Sequence, residues 1–503
     1  MDFFCENNPN QCFLRSAVRK LSLTFSENYD ENVRKFDKLF GIGKNYDFIS
    51  REQKVASRRA RFYYIDSFVD SENLERLFIF LAGLEKLTAD KTPSAPRLTA
   101  ERVKEFAAKY IPYTEVSVET DAGKFAYQIM SGTAGMLFED FGAAGIILDV
   151  RSYPTRGIEQ SENDRVLRGA HDSFVETIKR NSTLIRRRIR DPRLTFEKLT
   201  VGRLSESDIV LSYIDGVADA EYVAMLREKI SSIDVDALTL GQESLAECLI
   251  KRRWYNPFPK FRYTERPDTA AAQILEGSVI ILCDTSPEAM ILPTCIFDFM
   301  QETDDYYFPP LTGSYLRLLR YLVFLLTLFV TPTWYLLITH PEWVPDWLSF
   351  ILIDGEVHLP VVVQLFIVEL ALDGLKLASM NTPSSLNNTF GVVGGLILGD
   401  FAVQIGWFVP EVIVYMAFVG VTNFSQSSYE LGYAFKFLRM MMLLLTALFG
   451  LPGYICGAVL TFVLAATQKT INGKRNYLYP LIPFNAKAMK RLVVRERLRT
   501  RDE

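Results

Sequence analysis

The chain has 503 residues, too many for one ordinary hydrophobic core, so several structural units are expected. A net charge of -4 at pH 7 leaves no basic footprint for tracking phosphates, which excludes nucleic acid as a partner. The bulk values of 49% hydrophobic and 23% charged residues match a soluble protein only because the apolar residues crowd into the last third.

Residues 1–45 read as an N-terminal extension. Their start has no basic segment followed by a long apolar run, so no cleaved signal peptide is expected and the N-terminal part should stay in the cytoplasm. Gly41-Ile42-Gly43-Lys44 lacks the GxxxxGK[ST] spacing of a phosphate loop and predicts a turn.

From residue 46 the chain repeats itself. RFYYIDSFVDSENL, with Tyr64, Ile65, Asp66 and Asp70, matches VLSYIDGVADAEYV, with Tyr213, Ile214, Asp215 and Asp219. Farther along, GMLFEDFGAAGIILDV around Asp140 parallels SVIILCDTSPEAMILP around Asp284. The same order at nearly the same separation argues for two homologous α/β subdomains, 46–160 and 161–310. Each should open with a strand and a helix and close with a strand-turn-strand hairpin. The repeated aspartates predict turn or N-cap groups rather than catalytic ones. Residues 87–100 have the polar, proline-bearing character of a linker.

The highly charged stretch 153–194 predicts a loop leading into an amphipathic helix with Phe174, Ile178, Leu184, Ile185 and Ile189 on its apolar stripe. Arg186, Arg187, Arg188 and Arg190 either meet lipid phosphates, meet a neighbouring subunit, or form a solvated face.

A transmembrane helical domain is expected over 311–470, followed by a basic cytoplasmic tail at 471–503. Residues 318–338 carry about the 20 apolar residues needed to cross a bilayer, with Arg317 and Arg320 at one end and Trp334 and Tyr335 near the other. The acidic loop after it is expected outside. Between Thr339 and Phe435 the only Lys or Arg is Lys376. That makes 359–377 an inward pass, 390–409 an outward one and 412–424 a return, with Lys436 and Arg439 then cytoplasmic. Gly450-Leu451-Pro452-Gly453 breaks the last apolar stretch into a hairpin. The result is four to six segments, with both chain ends in the cytoplasm and the tail KAMKRLVVRERLRTR beside anionic lipid headgroups.

Glu369 and Asp373, one turn apart, and Asp400 lie inside these segments, where ionisable groups face a bundle interior, a water-filled path, or the headgroups at a helix end. Cys283 and Cys456 fall in apolar runs and are expected buried. The three histidines, His171, His340 and His358, lack metal-ligand spacing, and no GxSxG or HExxH motif occurs, so no cofactor, no metal and no enzyme activity are expected.

The chain resembles the A-subunit family of GerA-type spore germinant receptors from about residue 46 to 475. The likeness runs through YIDG at 213–216, NSTLIRRRIRDPRL at 181–194, NPFPKFRYTERPD at 256–268, FDFMQETDDYY at 297–307 and GVVGGLILGDFAVQIG at 391–406. LRGAHDSF at 167–174, where receptor subunits usually carry a VRGPREGF-like sequence, is more similar to the branch of stage V sporulation protein AF. The resemblance implies a non-enzymatic protein of the spore inner membrane that assembles as a homo-oligomer, a pentamer, around a central ion-conducting pore. For that branch it implies an amplifier of germination that releases ions with a small membrane partner. The alternative is the A subunit of a nutrient receptor working with B and C subunits; a secondary transporter and a non-conducting scaffold also remain. On this reading Val392, Val393, Gly394, Ile397, Asp400 and Gln404 line the pore, and Glu369 and Asp373 stand near a mouth.

Overall fold

The computed structural model describes residues 23–495 apart from 56–57, 89–102, 105–106, 109–110, 112–114, 140, 142, 153–168, 251–254, 303–304, 306, 356, 382–401, 425, 427, 472 and 474–475. The linker expected over 87–100 and Asp140 therefore lie almost wholly or wholly outside the described residues. The chain divides into one unit of Met1–Lys251 with Phe261–Pro293 and a second of Arg252–Lys260 with Thr294–Glu503.

The first unit contains the duplication in full. Its first half runs α1 (Tyr29–Phe40), β1 (Phe48–Val55), β2 (Arg58–Ile65), α2 (Ser71–Thr88), β3 (Val116–Glu119), α3 (Ala122–Met130), β4 (Ala134–Phe138) and β5 (Gly145–Leu148). Its second half runs α4 (Ile178–Arg188), β6 (Leu194–Val201), β7 (Ser207–Ile214), α5 (Ala220–Ser231), α6 (Gln242–Leu249), β8 (Arg262–Thr264), α7 (Pro267–Leu275), β9 (Val279–Cys283) and β10 (Ala289–Leu292). The sheets have matching orders, β1-β2-β4-β5-β3 and β6-β7-β9-β10-β8, and every pairing is antiparallel. Each half opens with a helix ahead of the strand expected to begin it, a helix whose sequence similarity between the halves is slight. Yet Tyr29 and Ile178 begin equivalent helices just as Arg58 and Ser207 begin equivalent strands.

The second half of β2, Phe62–Ile65, is apolar without interruption, and its surroundings give the reason. Phe62 and Tyr64 enter a core with Leu74, Leu77, Phe78 and Leu81 of α2. Tyr63 and Ile65 face the opposite way, against Phe36 and Phe40 of α1 and Phe125 and Ile129 of α3. A strand covered on both faces has no solvent side to make polar, so alternation disappears.

The predicted caps are present. Asp70 Oδ1 accepts from Glu72 N and Asn73 N, and Asp219 Oδ1 from Glu221 N and Tyr222 N. Asp284 Oδ1 accepts from Ile178 N at 3.1 Å, so one repeated aspartate serves the start of α4 across 106 residues of sequence. Gly41, with φ 60°, ends α1 in the predicted turn. The 178–188 helix forms as expected, and Arg187 and Arg190 are exposed, whereas Arg186 and Arg188 turn inward to protein partners. Arg186 is fully buried on Asp47, Arg188 pairs with Asp172, and Arg190 donates to the Tyr127 hydroxyl at 3.2 Å. For Arg186 this replaces both a lipid contact and a solvated face, because its planar fork satisfies a carboxylate and a carbonyl together.

The second unit is helical: α8 (Pro310–Thr339), α9 (Val361–Asn381), α10 (Pro410–Phe424), α11 (Tyr429–Phe449), α12 (Leu451–Ala466) and α13 (Ala486–Val493). Two of these, α8 and α11, are long and apolar enough to cross a membrane. The expected outward pass 390–409 is described only from 402, where Ala402–Gln404 forms a short helical turn. The hairpin break falls at Gly450, between α11 and α12. On α12, Gly453, Gly457, Thr461 and Ala465 are buried at four-residue spacing. A Cβ at Gly453 would stand 1.9 Å from Leu445 O, and one at Gly457 2.8 Å from Met442 Cγ, so these glycines permit the close approach of α11. Cys283 is buried as expected, whereas Cys456 on α12 is exposed. An apolar run guarantees protein burial in a water-soluble core but not on a helix whose outer face suits lipid.

Candidate functional site

The charges inside the helical unit converge. On α9, Glu369 and Asp373 stand four residues apart; on α11, Lys436 and Arg439 stand three apart, so each pair shares one helix face. Arg439 Nη2 lies 2.6 Å from Glu369 Oε2, and its Nη1 donates to Thr327 O of α8 at 3.1 Å. Lys436 Nζ is 3.6 Å from Glu369 Oε1 and also pairs with Asp373. Glu369, Lys436 and Arg439 are 4%, 5% and 2% exposed, which makes this a buried network rather than a surface pair. Lys436 and Arg439, expected on the cytoplasmic side, are helical residues with buried heads. An isolated carboxylate among apolar helices would be costly, and two cations offset the charge of Glu369.

A cleft opens beside this network, lined by Asp373, Lys376, Asn423, Tyr429, Tyr433 and Lys436 among others. The Lys376 ammonium lies 4.6 Å from the ring centroids of both Tyr429 and Tyr433. Asn423 Oδ1 and both polar atoms of the Gln426 amide are buried with no hydrogen-bond partner among the described residues. Buried polar groups of that kind are usual places for water.

A second charged cluster sits at the start of α8. Asp305, fully buried, receives Arg320 Nη1 at 2.8 Å and Arg317 Nε at 3.5 Å, and Arg320 Nη2 lies 2.8 Å from Glu302. Both arginines were visible as a flank of the span; their common acidic partner was not.

Of the residues predicted to line a pore, Val392, Val393, Gly394, Ile397 and Asp400 lie outside the described residues, and Gln404 is exposed. Glu369 and Asp373, expected at a mouth, are brought together with Lys436 and Arg439. The four-residue spacing of the two acids was the available signal; nothing in the sequence assigned them those cations. Among the described residues no group of three metal-ligating side chains occurs.

The family model described as Bacillus/Clostridium GerA spore germination protein matches residues 35–503. Stage V sporulation protein AF of Bacillus subtilis (strain 168) is 34% identical over 468 residues, which is 93% of this chain and 92% of that protein. Spore germination protein KA of the same organism is 27% identical over 456 residues, 89% of this chain and 81% of its own. The crystal structure of the N-terminal domain of the A subunit of the Bacillus megaterium spore germinant receptor GerK3 covers 54% of this chain and 96% of that domain, at 23% identity and a TM-score of 0.40.

Proposed function

This chain belongs to the GerA family of spore germination proteins, and we propose that it is an oligomeric ion-channel subunit of the spore inner membrane that amplifies germination by releasing ions. The observation that carries this reading is the Glu369, Asp373, Lys436 and Arg439 network between two apolar helices, beside a cleft whose lining includes Asn423 with its unpaired Oδ1. Ionisable groups are retained in such surroundings where they serve a conducting or switching path. The network acts as the latch: with Glu369 held by Arg439 and Lys436, α9 and α11 stay together and the path is shut. Opening separates the pairs, and the freed carboxylates face water. Val392, Val393, Gly394, Ile397 and Asp400 line the narrow part of the path, and both chain ends lie in the cytoplasm.

The higher identity to stage V sporulation protein AF than to spore germination protein KA favours the amplifier role, with a small membrane partner, over that of a nutrient-reading receptor subunit working with B and C subunits. The test is ion flux from liposomes holding the purified full chain. Arg439→Gln, and separately Val393→Ala or Ile397→Ala, should raise basal leak several-fold over the wild type. Flux from all three variants equal to that of protein-free liposomes would leave a scaffold role in its place.

A further inference from the structure

The ion path makes no use of α13. Ala488 and Leu492, one turn apart, are buried, and three hydrogen bonds fasten the helix to the start of α8. Arg317 Nη1 donates to Arg491 O at 3.2 Å, the Tyr321 hydroxyl to Leu492 O at 3.4 Å, and Arg495 N to Ser314 Oγ at 2.9 Å. The opposite side of α13 presents Lys487 and Lys490, both exposed, with Arg491 half-buried. Just before the helix, Leu481, Ile482 and Phe484 are 40%, 41% and 71% exposed, an apolar step beside a basic face.

The depth of this surface follows from α8. Its 30 residues span about 45 Å at ~1.5 Å per residue, more than the ~30 Å hydrocarbon core, so one end must stand among the headgroups. The end that carries Arg317 and Arg320 is the one to which α13 is tied. A short helix locked to protein on one face, with lysines on the other and large apolar side chains at its foot, suits the boundary of an anionic leaflet. A second copy of the chain meeting this face across a two-fold axis would set lysine against lysine.

The geometry points to residues 481–494 as a docking surface for anionic lipid. Leu481, Ile482 and Phe484 enter the acyl boundary, and Lys487, Lys490 and Arg491 meet the lipid phosphates. Because α13 is bonded to α8, lipid charge then acts directly on the first spanning helix. The inference rests on α8 crossing the membrane.

The test uses the full chain in detergent, titrated with phosphatidylglycerol or phosphatidylcholine, with retained lipid counted by native mass spectrometry. The wild type should retain phosphatidylglycerol in preference. Each lysine near an anionic surface is worth about fivefold in binding, so Lys487→Gln with Lys490→Gln should reduce that preference roughly 25-fold. Phe484→Ser should weaken retention of both lipids. Lys487→Gln alone, at an exposed position, should show about a fivefold loss and keeps the test decisive if the double variant does not fold. An unchanged preference in the lysine variants overturns the inference, as does a change in the number of protein copies with lipid retention unaltered, which would make the face a subunit contact. Release of the wild type from membranes by an alkaline carbonate wash would instead remove the span on which the inference depends.

Discussion

Arg186 on α4 closes on both carboxylate oxygens of Asp47, Nε to Oδ2 at 2.8 Å and Nη2 to Oδ1 at 3.0 Å, joining the two halves of a duplicated sequence. Its remaining Nη1 donates to Leu194 O, and its guanidinium lies 4.6 Å from the ring centroid of Phe196. Around this pair, Asn45 Oδ1 accepts from Phe196 N, and Tyr46 N donates to Phe196 O, so residues 45–47 of the first half run along β6 of the second. The equivalent aspartates of the repeat trade lysines: Asp215 takes Lys44 and Asp66 takes Lys179. Those exposed pairs contribute little; the buried one holds the junction.

Replacing Arg186 with Met leaves Asp47 buried and uncompensated, and the cost should be about 3 to 5 kcal/mol. Thermal unfolding of the full chain in detergent, followed by circular dichroism, measures it. Adding Asp47→Asn should restore part of the loss. A melting temperature unmoved by Arg186→Met would mean the junction is held by other contacts.

The hairpin of α11 and α12 separates two kinds of glycine. Gly450 has φ 62° and ψ -137° with open space around its would-be Cβ, so Gly450→Ala should cost about 1 to 3 kcal/mol of backbone strain. Gly453→Ala drives a methyl group into Leu445 O and must prise the helices apart, so it should cost more. Melting temperatures in the opposite order would contradict this packing.

Acid should weaken the second half of the first unit through Glu197. The ion pair with Arg227 is the leading cause that holds its carboxyl below the usual range, against the opposing effect of burial. A carboxylate with a depressed folded-state pKa gives stability that is fully present above the unfolded value of about 4.3 and lost as pH falls through the folded one. The wild type should therefore lose stability below that pH more steeply than Glu197→Gln, in unfolding curves taken from pH 7 to pH 3. Parallel curves would show that Glu197 is not coupled to folding.

Cysteine chemistry should divide by surroundings. Burial pushes the Cys283 thiol up to about 11, so at pH 8 it should stay unmodified in the folded chain while the exposed Cys248 reacts. Cys456 should react with a small apolar maleimide in detergent and resist a charged reagent in a bilayer. Peptide mapping after labelling reads all three sites, and modification of Cys283 before unfolding would contradict its place in β9.

Several features were legible because they are local. The apolar runs declared α8 and the hairpin at Gly450, the repeated YID segments declared two related sheets, and Asp70 and Asp219 stood where helix starts need an acceptor. Residues 178–188 carried their helical stripe openly. Other features depended on partners far along the chain. The opening helix α1 matches α4 in place but hardly in sequence, since only its four buried positions, Tyr29, Asn32, Phe36 and Phe40, are constrained by what lies beneath.

By itself the sequence determined the long apolar helix α8, the 178–188 helix and the repeated strands, that the first unit is a duplication, and that carboxylates lie within apolar helices. Periodicity and capping chemistry act over a few residues and leave their mark in order. Only the tertiary structure decided that Arg186 answers Asp47, 139 positions away, and that Arg439 and Lys436 answer Glu369. A charge in an apolar segment requires a partner, but that requirement is met by whichever element the topology brings alongside, and spacing along the chain does not record it.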